Sequence, residues 1–224
     1  MGADPNDVTL ASYQAATDRY IEARSAPPPV VRRYLDRLAD LVGHGHVLEL
    51  GSGPGWDAAY LEQRGVRVTR SDATPAFVDR LRAAGYEARL LDVRRDEFGG
   101  PYDAVLANAV LLHLSRDQFR GALRRARHAV GDGGVLAVTL KEGDGERWSS
   151  VKLDRPRHFT YWREPALRRV LEDTEWHVTF LAQVDGRAER WLHVIARADV
   201  DTTGASAASE ASCAGRSSAG PRPW

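Results

Sequence analysis

The sequence predicts an α/β fold, a mostly parallel sheet flanked by helices and ending in an antiparallel hairpin. Residues His46 to Ala59, HVLELGSGPGWDAA, read as a short apolar strand, a glycine turn and the start of a helix. From there to Leu140, strand-like apolar runs alternate with helical segments, the pattern of repeated β/α units. Trp176 to Val184 and Glu189 to Arg197 then flank Asp185-Gly186, a hairpin turn signal. Strand, glycine turn and helix in that order place a ligand site at the carboxyl edge of the sheet.

The chain has 224 residues, enough for one domain with a full core. Its 31 basic and 31 acidic residues balance, which weighs against a nucleic-acid partner. Cys213 is the single cysteine, so no disulfide framework within the chain and no Cys-rich zinc site is expected. No apolar run is long enough to span a membrane. MGADPNDVTL lacks the charged and apolar regions of a secretory signal, so a cytoplasmic location is expected.

Taken in order, residues 1–8 read as a flexible N-terminus, and Thr9 to about Arg24 as a helix carrying Tyr13 and Tyr20. Pro27, Pro28 and Pro29 break it, and a second helix, apolar at Val31, Tyr34, Leu35, Leu38 and Val42, stops at Gly43. After the glycine turn a helix runs from Trp56 to about Arg64, then a strand from Val66 to Ser71 that ends at Asp72. Thr74-Pro75 looks like an N-cap and first helical residue, and that helix runs to Ala84. A third strand, about Glu87 to Leu91, ends at Asp92-Val93, and a fourth, Tyr102 to Ala107, ends at Asn108.

Beyond that tip lies His113, then Ser115 and Gln118 as a capping box for a helix to about Val130. Arg116, Arg120, Arg124 and Arg127 on it read as a solvated face. Gly131 to Gly134 reads as a turn and Val135 to Leu140 as the fifth strand. The segment 141–163 leaves the sheet and carries Trp148, Phe159, Tyr161 and Trp162 among Lys141, Arg157 and His158, too aromatic for plain disorder. A helix from about Glu164 to Asp173 follows, then the hairpin. Residues 199–224, poor in apolar side chains, read as a disordered tail.

Three ligands compete for the glycine turn. A phosphate P-loop needs Lys after its last glycine, and none follows here. A dinucleotide fingerprint needs a third small residue where this chain has Trp56, and its sheet would continue with parallel crossovers. The remaining reading is G-x-G-x-G after a strand carrying Glu49. VLELGSGPG resembles motif I of the class I S-adenosyl-L-methionine (SAM)-dependent methyltransferases, and the resemblance covers residues 9–198. The closing hairpin is similar to the end of that family's sheet. Within the class, KEGDGE and RHFTYW resemble a bacterial subgroup of small stand-alone enzymes, many tied to natural products.

The resemblance implies a Rossmann-like seven-stranded sheet, mostly parallel, with helices on both faces and an N-terminal helical lid over 9–43. It implies SAM as cofactor and S-adenosyl-L-homocysteine (SAH) as product. Cofactor contacts are expected from Glu49, Gly51, Ser52, Gly53, Gly55 and Asp57 in motif I. Asp72 and Ala73 fall where the family holds the ribose, about twenty residues past the glycines; the plainer alternative is that Asp72 only opens a turn. Asp92 and Val93 fall where it holds adenine, and Asn108 and Ala109 lie beside the reacting methyl. No metal is expected.

His113 is the candidate general base, with an orienting role as the alternative. Tyr13, Tyr20, Lys141, Arg157, His158, Tyr161 and Trp162 are candidate substrate contacts, the cations for a carboxylate or phosphate and the rings for an aromatic or apolar body. The alternatives are core packing for Tyr13 and Tyr20 and surface ion pairs for Lys141 and Arg157. A small-molecule O- or N-methyltransferase, monomer or homodimer, is the leading expectation. A peptide, protein or RNA methyltransferase and a non-catalytic SAM-binding protein remain alternatives.

Overall fold

A computed structural model of the chain describes residues 2–23 and 26–199. Its strands are β1 (His46–Glu49), β2 (Arg67–Asp72), β3 (Ala88–Leu90), β4 (Tyr102–Asn108), β5 (Val130–Lys141), β6 (Glu146–Ser149), β7 (Arg157–Thr160), β8 (Trp176–Asp185) and β9 (Arg190–Ala198). Its helices are α1 (Pro5–Ala15), α2 (Thr17–Glu22), α3 (Pro29–Val42), α4 (Trp56–Glu62), α5 (Pro75–Ala83), α6 (Arg116–Ala129) and α7 (Glu164–Glu172). Seven strands form one sheet in the order β3-β2-β1-β4-β5-β9-β8, and β6 with β7 forms a separate hairpin. Strands β1 to β5 pair in parallel; β9 lies antiparallel between β5 and β8.

Side-chain alternation divides the core between the two faces, because successive strand residues point to opposite sides. Val47, Ala104, Leu106, Val135 and Ala137 pack with Tyr34, Leu35 and Leu38 of α3 and Leu61 of α4. Leu48, Val105, Ala107, Leu136 and Val138 pack with Phe119 and Leu123 of α6 and Leu167 and Leu171 of α7. The central strands are thereby covered on both sides, as parallel strands require.

Several boundaries differ from expectation. The N-terminus is ordered earlier: α1 begins at Pro5, because Asp4 accepts the Asn6 N–H as an N-cap and Pro5 fits the first helical turn. The expected single helix is broken at Ala16 into α1 and α2. The expected turn at Gly131–Gly134 is a bulge inside β5, since β4 pairs Tyr102 with Val130 but Ala104 with Val135. The segment after β5 is not loop throughout but holds the β6–β7 hairpin. The arginine stripe of α6 is not uniformly solvated: the Arg116 guanidinium lies 4.2 Å from the Trp162 ring centre and Arg127 pairs with Asp132 and Glu175. Of the expected tail, 199–224, only Asp199 is described, its N–H donating to the Glu175 carbonyl; the rest lies outside the described residues.

Candidate active site

The carboxyl ends of β1, β2 and β4 open into a cleft. Its floor is the glycine turn. Gly51, Gly53 and Gly55 all have left-handed backbone, φ of 61°, 52° and 81°. A Cβ on Gly51 would stand 2.5 Å from a Val110 methyl, whereas one on Gly53 would meet nothing nearer than Tyr20 at 3.9 Å. Gly51 is thus required by close packing, and Gly53 keeps bare backbone facing the cleft.

Asp72, at the end of β2, accepts the Gly53 N–H on one oxygen at 2.8 Å and the Thr74 N–H on the other at 2.7 Å. Burial raises the Asp72 pKa, and these N–H groups oppose the rise. Each oxygen keeps a lone pair for a further donor. The expected turn-opening role is therefore real, and it leaves acceptor capacity toward the cleft.

Asn108, at the end of β4, is fixed from both ends. Its Nδ2 donates to Asp57 Oδ2 at 2.6 Å and its Oδ1 accepts from Thr139 Oγ1 at 2.7 Å. Thr139 in turn accepts the Ala109 N–H at 2.9 Å, holding Ala109 at φ 59°, an unusual backbone for a non-glycine residue.

Gly51, Gly53, Asp72, Ala73, Asp92, Val93, Asn108 and Ala109, all expected as cofactor contacts, line this cleft. Glu49, Ser52, Gly55 and Asp57 do not. Ser52 exchanges hydrogen bonds with the backbone of Ser71 on β2. Glu49 is 3% exposed with one oxygen unpartnered, and burial together with the nearby Asp57 raises its pKa to about 8. The Asp92 carboxylate is turned onto Arg94, at 2.7 Å from its Nη2. Burial pushes the Asp92 carboxyl up, but the hydrogen bonds and charge of Arg94 outweigh it and hold it below the usual range.

The roof comes from the N-terminus. Tyr13 of α1, Tyr20 of α2 and Phe77 of α5 pack edge-on or tilted with centroids 5.6 to 6.5 Å apart. Helix α1 is pinned by its polar face: Asn6 donates to the His113 carbonyl, Thr9 accepts the His158 N–H, and Ser12 donates to the Pro156 carbonyl. Arg94, with its side chain 8% exposed, pairs with Asp4 and Asp7 as well as Asp92. Sequence reasoning passed over Asn6, Thr9, Arg94 and Thr139. Only Asp4-Pro5, a helix-start signal, could have extended the lid to include Asn6.

His113 ends a single 3-10 turn, Leu111–His113, and lines the cleft. Its Nδ1 lies 2.6 Å from the His158 carbonyl, an acceptor only, so Nδ1 carries the hydrogen. Nε2 is then the acceptor for the Tyr13 hydroxyl at 3.1 Å. Burial lowers the His113 pKa to about 3, with Arg157 and Lys141 adding to the fall. The imidazole is neutral with both nitrogens engaged.

Of the other substrate candidates, Tyr13 and Tyr20 line the cleft, and Lys141, Arg157, His158, Tyr161 and Trp162 do not. Trp162 is 2% exposed, between Phe119 and the Arg116 guanidinium, because α6 covers that side. Tyr161 and Lys141 both turn to Glu189 at the β8–β9 turn, Lys141 at 2.5 Å. His158 pairs with Glu146 at 3.2 Å. Arg157 reaches the cleft only through Tyr13, donating to its hydroxyl oxygen at 3.3 Å. Among the described residues, no three His, Cys, Asp or Glu side chains are grouped to hold a metal ion.

Residues 20–180 match the model of a family described as a methyltransferase domain. No curated protein matches the chain. Among solved structures, the chain is similar to 1,6-didemethyltoxoflavin-N1-methyltransferase of Burkholderia thailandensis, solved with 1,6-didemethyltoxoflavin and SAH: 21% identity, 89% of this chain and 92% of that one, TM-score 0.68. It is similar to the CcbJ methyltransferase of Streptomyces caelestis at 21% identity, covering 87% and 100%, TM-score 0.71. The magnesium protoporphyrin IX methyltransferase of Synechocystis, solved with SAM, matches at 16% identity over 89% and 99%, TM-score 0.67. At these identities the structures speak to fold, and the family match speaks to chemistry. With a glycine turn, an acidic strand end and a roofed cleft in one domain, the chain belongs to the methyltransferase domain family and is a methyltransferase.

Proposed function

We propose that the protein transfers a methyl group from SAM to an oxygen or nitrogen nucleophile of a small molecule, a biosynthetic intermediate or natural product. The observation that carries the small-molecule reading is the roof: Tyr13, Tyr20 and Phe77 close the cleft above Gly53 and Asp72, leaving a pocket rather than a groove. A folded RNA or protein surface would have to displace that roof to reach the floor. The toxoflavin, CcbJ and protoporphyrin enzymes support the same reading by analogy.

The cofactor is SAM, and the residues fit it. Gly51 and Gly53 offer backbone without a Cβ for the methionine part, and Asp72 keeps lone pairs for the ribose hydroxyls. Ala73, beside Asp72, would face the ribose and Val93 the adenine, while Asp92 answers to Arg94 first. When bound, SAM supplies an activated methyl on a cationic sulfur. The chain supplies position: Asn108, held between Asp57 and Thr139, sets the edge of the cleft, and the lid excludes water. His113 holds the Tyr13 hydroxyl rather than acting as base. We place the protein in the cytoplasm as a monomer or homodimer; no helix among the described residues is long and apolar enough to cross a membrane.

Isothermal titration with SAM and SAH, beside an Asp72→Ala variant, tests the cofactor. Micromolar binding by the wild type, lost in the variant, is expected. Binding of NAD or NADP in place of SAM would overturn the reading. Labelled SAM then identifies the acceptor; transfer to RNA or protein alone would overturn the small-molecule part.

A further inference from the structure

Arg157 is a buried cation, 7% exposed, that no carboxylate pairs with among the described residues. Among the described residues its Nε has no hydrogen-bond partner. What it does have is aromatic: the guanidinium carbon lies 5.0 Å from the Phe159 ring centre and 5.7 Å from that of Tyr13. An uncompensated buried charge is costly and ordinarily paired. Here its one hydrogen bond from Nη1 runs to the Tyr13 hydroxyl oxygen, and Tyr13 lines the cleft. The charge is therefore delivered to the cleft through one phenol.

The hydrogens on this chain can be placed. His158 carbonyl accepts from His113 Nδ1, His113 Nε2 accepts from Tyr13, and Tyr13 accepts from Arg157. The Tyr13 O–H is a rotor. It can remain on the neutral imidazole or turn to an anionic atom in the cleft, and hydrogen bonds to an ionised partner are roughly twice as strong as neutral ones. Other groups facing Tyr13 are Tyr20 and Phe77, both uncharged, and Asp72 across the cleft, whose oxygens are tied to Gly53 and Thr74. Lys141, its Nζ 3.5 Å from the Phe159 ring centre, is already paired with Glu189 and leaves Arg157 as the uncompensated cation on this side among the described residues. The cleft is polarised, with the Asp72 carboxylate toward the glycine turn and the Arg157 charge behind Tyr13.

We propose that the methyl acceptor is bound as an anion, an ionised phenol, enol or acidic heterocyclic N–H, held by the Tyr13 hydroxyl with Arg157 behind it as the positioning charge. This rests on the small-molecule methyltransferase reading and names its acceptor class. The acceptor's proton goes to solvent as it enters, so the protein needs no general base, in keeping with an imidazole engaged at both nitrogens. A neutral amine acceptor would gain nothing from Arg157.

The test uses 4-nitrophenol, whose ionised form absorbs visible light, titrated against pH with the whole protein, with and without SAH. Binding of SAH is measured on the same sample, so a failed cofactor reading shows separately from a failed acceptor reading. The expected result is a fall of about one pH unit or more in the probe's ionisation midpoint, a tenfold preference for the anion. Arg157→Met and Tyr13→Phe should each remove most of that shift, and Arg157→Lys should restore part of it. Lack of uptake at millimolar probe, preference for the neutral phenol, or an equal shift in Arg157→Met would each overturn the proposal. Tyr13→Phe, which keeps the ring, keeps the test decisive if an Arg157 variant does not fold.

Discussion

A buried, neutral histidine makes the protein acid-sensitive, and His113 allows the size of the effect to be worked out. Its pKa is about 3 in the folded chain against 6.5 for the free side chain, burial being the main cause. Between those values the unfolded chain binds a proton that the folded chain refuses. Stability from this group is therefore complete above pH 6.5 and falls with pH by about 1.4 kcal/mol per unit until the folded pKa is reached. Going from about pH 7.5 to about pH 4.5 should remove about 3 kcal/mol through His113 alone. The assay is urea unfolding at both pH values for the wild type and His113→Asn, whose amide nitrogen can still donate to the His158 carbonyl. The variant should be weaker at the higher pH, because Tyr13 loses its acceptor, yet its stability should fall by about 2–3 kcal/mol less on acidification. His193, lowered to about 4 chiefly by burial, acts in the same direction in both proteins and cancels. Equal losses in the two proteins, within about 0.5 kcal/mol, would refute the reasoning.

The floor of the cleft separates two kinds of glycine. Gly51→Ala should destabilise by about 2 kcal/mol or more, since its Cβ collides with Val110 and its φ is left-handed, whereas Gly53→Ala should cost about 1 kcal/mol and chiefly weaken SAM binding in calorimetry. Similar folding losses for both would show that the two positions are not distinct. Arg94→Leu leaves Asp4, Asp7 and Asp92 without their shared cation; amide exchange should speed up in residues 5–15 far more than in β1 or β4, and uniform exchange would contradict a latch. Glu49 carries the opposite sign from His113. Burial raises its pKa from 4.5 to about 8, so its contribution is full below pH 4.5 and is lost as pH rises through 8. The stability of Glu49→Gln relative to wild type should climb from about pH 5 to about pH 8.5, and a difference that does not change with pH would reject a protonated Glu49.

The parts legible in the sequence were those written locally. VLELGSGPG marked the floor, Asp72 and Asp92 followed at β/α spacing, and the Asp185-Gly186 turn marked the antiparallel end; each depends on neighbouring residues and backbone rules. The residues expected to form one substrate wall diverge for the converse reason. Cations and rings in 141–163 looked like one surface, but alternation along β7 and the turn beyond it sends them different ways. Trp162 goes to the α6 side, Tyr161 and Lys141 to Glu189, and Arg157 behind Tyr13. Those destinations depend on partners far away in sequence. The lid helix was read by its apolar residues, although the face it buries is Asn6, Thr9 and Ser12, chosen by carbonyl and amide partners rather than by hydrophobicity.

The same lid has a consequence for how the protein is made. Its three polar anchors join residues 107, 144 and 149 positions apart, Asn6 to His113, Ser12 to Pro156 and Thr9 to His158. A chain emerging N-terminus first presents α1 long before any of those partners exists. The sheet has the same delay on its far side, where β5 pairs with β9 across residues 135–141 and 191–197. Loop closure over such distances is slow relative to local helix formation. On the ribosome, then, α1 waits for β7, synthesised more than a hundred residues later. Chains stalled before β7 would carry a glycine floor and an unanchored roof, so the pocket is completed only once Pro156 and His158 have emerged.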